Sequence, residues 1–153
     1  MNDLEDLASC VLDTAFSVHN DVGPGLLESV YEQLLANRLS RQGLNVDRQM
    51  PVGAEVDGLD FREAFRLDML VENRLVIEIK AIEKLAPIHA RQTLTYLRLM
   101  KLPFGLLINF GGITLKEGIK RVVNNYRQAE HLHLRNLCGL CVDKLNAAMA
   151  DRA

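Results

Sequence analysis

Leu4, Leu7, Val11, Ala15 and Val18 recur at helical spacing, so residues 3–20 read as an amphipathic helix. Val22-Gly23-Pro24-Gly25 ends it, because glycine and proline both oppose helix continuation. A second helix is expected from about Leu26 to Gln42, with Leu27, Val30, Tyr31, Leu34, Leu35 and Leu39 inside and Gly43 as C-terminal cap. Residues 44–56 then read as a strand interrupted near Pro51-Val52-Gly53, and Asp57-Gly58 is a hairpin turn signal.

Two further strands follow. Phe65-Arg66-Leu67-Asp68-Met69-Leu70-Val71 and Leu75-Val76-Ile77-Glu78-Ile79-Lys80-Ala81-Ile82 are short and apolar, and Glu72-Asn73-Arg74 between them suits a tight turn. Side chains alternate along a strand, so Glu78 and Lys80 share one face while Ile77, Ile79 and Ala81 take the other. A hairpin centred on Asn73 sets Val71 opposite Leu75, Met69 opposite Ile77 and Asp68 opposite Glu78. Like charges so placed cost about 0.2–1 kcal/mol before any burial. A cation between them, or a proton on one, removes that cost, and such a pair with a lysine two residues on suits a divalent-metal hydrolytic site. A polar face turned to water, with Lys80 neutralising the carboxylates, is the plainer alternative. A slip of one residue would send every side chain to the other face.

Pro87 suits the first turn of a helix over about 87–101, which Pro103 ends. Phe104 to Phe110 is another buried strand, stopped by Gly111-Gly112. Helices are expected from Glu117 to Arg127 and over about 130–150. The order α, α, β, β, β, α, β and then helices is that of an α/β layer, with helices against a mixed sheet.

A chain of 153 residues holds one domain with a proper core. No apolar run approaches the ~20 residues of a membrane span, and the chain opens on Asp3, Glu5 and Asp6 rather than a basic signal region. Three cysteines, an odd count, argue against a disulfide framework, and a cytoplasmic protein is expected. The net charge of −2 is uneven: residues 1–37 carry seven acids and no lysine or arginine. Such an acidic start, if near the site, would repel phosphates, and the moderately basic remainder is no nucleic-acid signature by itself.

Gly25-Leu26-Leu27-Glu28-Ser29-Val30-Tyr31 resembles the signature of the GxxExxY proteins, as does its setting of Val18-His19-Asn20 and Val22-Gly23-Pro24-Gly25. Arg66-Leu67-Asp68, Glu78-Ile79-Lys80, Lys84-Leu85 and Leu106-Leu107-Ile108-Asn109-Phe110-Gly111 continue the likeness over roughly residues 10–125. That family is placed in the PD-(D/E)xK nuclease superfamily, whose α-β-β-β-α-β core is restriction-endonuclease-like. The superfamily's proline before the aspartate is missing, since Leu67 precedes Asp68. The resemblance implies a nuclease-like domain over 1–127, with 128–153 as a helical extension packed on the domain or on a partner, and a homodimer among the options.

It further implies that Asp68, Glu78 and the backbone carbonyl of Ile79 hold a divalent metal, and that Glu28 adds an acidic ligand. Hard oxygen donors suit Mg²⁺ or Mn²⁺. Lys80 would orient or deprotonate the attacking water and stabilise developing charge. Gln92 and Tyr96, four apart on one helix face, resemble the QxxxY motif of RecB-like nucleases and would support site and substrate. Tyr31 is expected to pack while its hydroxyl fixes the Glu28 carboxylate.

Other candidates weigh less. His19 could be an outer ligand, though a histidine near a helix C-terminus also meets the last carbonyls. His131, His133, Cys138 and Cys141 have zinc-like composition, but both cysteines fall on the apolar stripe Leu134, Leu137, Leu145 and Ala148, so zinc is set aside. An iron–sulfur cluster usually needs four cysteines, and Cys10 makes only three. The leading expectation is a metal-dependent nuclease acting on phosphodiester bonds, chiefly in DNA. The alternative is a weak or inactive nuclease-fold module that binds nucleic acid or a protein. A purely structural role would leave the facing carboxylates unexplained.

Overall fold

The computed structural model describes residues 3–125. Helix α1 (Leu4–Val22) starts at Asp3, whose side chain accepts from the Glu5 N–H, and ends at Gly23 with φ of 67°. Helix α2 (Glu28–Arg41) follows a loop in which Gly25 has φ of 105°, a left-handed angle that glycine adopts without a Cβ penalty. Strands β1 (Val46–Val56), β2 (Leu59–Val71) and β3 (Leu75–Lys80) precede α3 (Pro87–Leu99), which opens on the expected proline. Strand β4 (Phe104–Asn109), a short 3₁₀ turn (Lys116–Gly118) and β5 (Ile119–Val123) complete the order.

The sheet runs β1-β2-β3-β4-β5. Only β3 and β4 are parallel, joined by the α3 crossover; the other neighbours are antiparallel. Leu7, Val11, Val18, Tyr31, Leu35 and Leu39 from α1 and α2 pack on Met69, Val71, Ile77, Ile79, Leu106 and Ile108. On the other face Tyr96 and Leu97 of α3 pack on Leu70, Val76 and Leu107. The sheet is therefore a mixed layer flanked by helices on both sides, as the sequence pattern predicts.

The β2–β3 register is the expected one: Val71 pairs with Leu75 and Met69 with Ile77. Glu72 and Asn73 both take φ of 53°, and the Arg74 N–H closes the turn on the Val71 carbonyl at 3.0 Å. The expected interruption of β1 is also present, as a register shift between Val52 and Ala54.

One expectation is overturned. In place of a helix from Glu117 to Arg127, the chain makes the 3₁₀ turn and then β5, which pairs antiparallel with β4 from Ile108↔Ile119 to Phe104↔Val123. Ile119, Val122 and Val123 are β-branched, and a helix there would leave the outer edge of β4 unpaired. Arg121 fixes the strand further, lying 3.7 Å over the Phe104 ring and bridging to Glu5 at 2.7 Å. The expected helix over 130–150, the extension from 128 and the His131, His133, Cys138, Cys141 group lie outside the described residues.

The loops leaving β3 and β4 are locked together. The Phe110 N–H donates to the Lys80 carbonyl at 2.7 Å. Asn109, at the end of β4, accepts from the Ile82 and Gly111 N–H groups at 3.0 and 3.1 Å and donates to the Ile82 carbonyl at 2.8 Å. Gly111 sits so close that a Cβ would meet the Ile82 backbone nitrogen at 2.6 Å. Gly111→Ala should therefore destabilise the fold by about 1–3 kcal/mol, the range for overpacking a tight contact. Urea denaturation measures it; an unchanged midpoint would show that these loops separate freely.

Candidate active site

The ladder between β2 and β3 stops at Met69↔Ile77, and the next rung is made by a side chain. Asp68 Oδ2 accepts the Ile79 N–H at 2.8 Å, so one carboxylate stands in for a backbone carbonyl where the strands part. Glu78, the residue opposite, is 2% exposed although it is an acid in a central strand. Its Oε1 accepts from Lys80 Nζ at 2.7 Å, while its Oε2 is buried without a hydrogen-bond partner. Lys80 Nζ also stands 3.8 Å from Glu28 Oε1, at the start of α2. Glu28, Asp68, Glu78 and Lys80 thus converge where β3 ends.

Burial and like charge set the electrostatics. Glu78 is pushed up to about 7, first by burial and then by the Asp68 charge, with Lys80 pulling the other way. Burial also raises Asp68, and the Ile79 N–H and Lys80 only partly offset it. For Lys80, burial disfavours the ammonium, but the hydrogen bond to Glu78 and the charges of Glu78, Asp68 and Glu28 outweigh it and hold the pKa above the usual lysine value. Tyr96 is raised by burial and by the Glu78 charge, so its phenol keeps its proton beside the acids. Perturbed groups gathered in this way are a mark of functional sites.

The flanking residues divide. Gln92 Nε2 donates to the Tyr96 hydroxyl at 2.6 Å, which links the pair expected from their four-residue spacing, and Phe65 meets the Tyr96 ring edge-on. Tyr31 departs from expectation: its hydroxyl donates to the Gly23 carbonyl at 2.7 Å and accepts from the Leu26 N–H at 3.1 Å. Its ring stacks on Phe110 at 4.6 Å. Tyr31 therefore fixes the loop ahead of Glu28, because its own burial under α2 turns the hydroxyl back towards that loop. His19 is not brought to the carboxylates either; its Nε2 meets the Gly112 carbonyl at 2.9 Å.

Glu32 is the residue that sequence reasoning missed. It is 4% exposed, one turn after Glu28, and accepts from Arg48 Nε at 2.8 Å and Gln49 Nε2 at 2.7 Å. Gln49 takes φ of 50° between the pairs Arg48↔Met69 and Met50↔Leu67, across from Asp68. This clamp pins α2 to the strand that faces Asp68. The available signal was the helical phase of Glu32, which shares the inner side of α2 with Leu35 and Leu39.

The buried Glu78 carboxylate with its unpartnered Oε2 and the half-buried Asp68 opposite fit a hard cation in charge and chemistry. Among the described residues, however, no three His, Cys, Asp or Glu side chains are gathered closely enough to hold an ion as they stand. The Lys80 ammonium supplies the positive charge between Glu78 and Glu28 instead.

A pH dependence follows. Folded Glu78 keeps its proton to about 7, against 4.5 for an unperturbed glutamate. The folded state thus binds more protons across that window, so the stability Glu78 contributes is full below 4.5 and is lost as pH rises towards 7. In metal-free protein, urea midpoints measured on either side of this window should fall with rising pH, and Glu78→Gln should flatten that fall. An equal slope in both proteins would place the titration elsewhere.

No curated protein and no solved structure matches the chain. Among the described residues no helix is long and apolar enough to cross a membrane. Residues 5–122 match the PD-(D/E)XK nuclease superfamily, a span that takes in Glu28, Asp68, Glu78 and Lys80. With the mixed sheet and its flanking helices in agreement, the chain belongs to the PD-(D/E)XK nuclease superfamily.

Proposed function

We propose that this chain is a metal-dependent nuclease of the GxxExxY group, with RecB-like features, that hydrolyses phosphodiester bonds in DNA. The observation that carries the reading is the pair of half-buried Asp68 and buried Glu78, with Glu78 tied to Lys80 and its Oε2 left unpartnered. Asp68, Glu78, the Ile79 carbonyl and Glu28 would hold Mg²⁺ or Mn²⁺. When bound, such an ion supplies Lewis-acid stabilisation and a more acidic water. Ionised Glu78 is then the useful form, and Lys80 is freed to orient water and to stabilise charge that develops on the phosphoryl oxygens. Tyr96, protonated and held by Gln92, offers a hydroxyl donor at the same site.

Three cysteines support a cytoplasmic setting. One observation favours the alternative of a binding module: Lys80 meets Glu78 at 2.7 Å, so Glu78 has a counter-charge without an ion.

The deciding experiment incubates purified protein with Mg²⁺ or Mn²⁺ and linear, circular and single-stranded DNA, with RNA alongside. Cleavage of DNA that needs the ion supports the nuclease; binding without cleavage in every arm moves the reading to the module. Lys80→Ala should lower cleavage roughly 10²–10³-fold, the cost of removing one group aimed at developing charge. It should leave Mn²⁺ affinity, read by titration calorimetry, nearly unchanged. Asp68→Asn should weaken Mn²⁺ binding, because it removes a charged ligand from a hard cation. Equal cleavage by wild type and Lys80→Ala would sink the assigned role of the lysine.

A further inference from the structure

A cavity of about 390 Å³ lies on the far side of Asn109 from the carboxylates. Lys84, Leu85, Asn109, Thr114, Glu117 and Lys120 are among its lining residues, contributed by the loop after β3, the end of β4 and the segment leading into β5. Register places it relative to the site. Lys80 pairs with Asn109 across β3 and β4, and Leu107 pairs with both Glu78 and Lys120. Directly paired residues share a face of a sheet. Glu78, Lys80, Asn109 and Lys120 therefore lie on one face, with the cavity about 10 Å, or two strand spacings, along it from Lys80.

The cavity is built in advance. Asn109 spends its side chain on Ile82 and Gly111, which holds the wall towards Lys80. Gly118, another lining residue, lies so close to the Asn109 carbonyl that a Cβ would collide with it, and Gly111 abuts the Ile82 backbone in the same way. The lining suits a particular chemistry. Lys84 and Lys120 make no ion pair among the described residues and can take a phosphate, while Leu85 offers an apolar surface. Glu117, Glu83 and Thr114 offer acceptors and a hydroxyl for the edge of a base. Its volume falls in the range of small-ligand sites, about 300–1,000 Å³.

We infer that this cavity is a nucleotide subsite, which holds the nucleoside monophosphate unit flanking the phosphate presented to Glu78 and Lys80. The inference rests on the nuclease reading for its place in a reaction and on the cavity alone for its ligand. The test titrates metal-free full-length protein with deoxythymidine monophosphate, deoxyadenosine monophosphate and, separately, inorganic phosphate, and follows amide chemical shifts by NMR. Saturable shifts at Gly112, Thr114 and Gly118 with the nucleotides are expected. Lys120→Glu should weaken that binding about tenfold or more, since it replaces a charge-assisted contact by repulsion. Lys84→Glu provides a second, independent variant, and a melting curve shows that each still folds.

Absence of shifts at these amides, equal shifts with inorganic phosphate, or unchanged affinity in both variants would each overturn the subsite. A protein that cleaves DNA but shows no nucleotide response here loses the subsite and keeps the nuclease. One that binds nucleotide here and cuts nothing keeps the subsite and loses the nuclease.

Discussion

The structure depends on a single register. Because β2 turns into β3 through Glu72 and Asn73, both in the left-handed region, Asp68 and Glu78 arrive opposite each other on the α3 face. A slip of one residue would put the two acids on opposite faces and drive one of them into the apolar layer of Ile77, Ile79 and Met69 beneath α1 and α2. An unpaired buried charge costs several kcal/mol, so the alternative register is excluded by the residues that make the site. The acids that trouble the fold also specify it.

Around this pair the supports are rigid elements rather than free loops. Helix α2 is anchored on both sides of Glu28. Tyr31 ties the preceding loop through Gly23 and Leu26, and Glu32 ties the following turn to Arg48 and Gln49. Lys80 is held from the other direction, since the carbonyl of the same residue accepts from Phe110. Four charged groups that would each prefer water are thereby kept within reach of one another, and the raised pKa values of Asp68 and Glu78 record the cost.

What could be read from sequence was local. The hairpin about Asn73 needs only a period of two and a turn, and both are written in residues 65–82. The α1 stripe and the Pro87 helix start were equally legible, whereas on α2 the expected Tyr31, Leu35 and Leu39 are buried but Leu27 and Val30 are exposed. Strand β5 was not, because its partner β4 lies before an intervening loop, and Lys116, Lys120 and Arg121 among apolar residues also suit an amphipathic helix. Tyr31 shows a different limit: a buried aromatic could be foreseen, but the partner of its hydroxyl depends on how the Gly23–Leu26 loop folds back. Glu32 was hidden by its neighbour, since the motif drew attention to Glu28 one turn earlier.

The uneven charge of the sequence takes on a new meaning in three dimensions. Seven acids before residue 38 suggested a repulsive field near the site. Yet Glu5 is bound to Arg121 on β5, whereas His19 at the other end of α1 meets Gly112 beside the end of β4. At 1.5 Å per residue the helix carries Glu5 about 21 Å away from that end. This exceeds the ~8 Å over which exposed charges act at physiological ionic strength. Of the acids nearer the site, Asp21 pairs with Arg38 and Glu32 with Arg48. Glu28 remains, and it is the one that reaches Lys80. The negative start of the chain therefore does not stand guard over the carboxylates, and a polyanion approaching the ends of β3 and β4 also meets Lys84 and Lys120, which share a neighbouring cavity with Glu83 and Glu117.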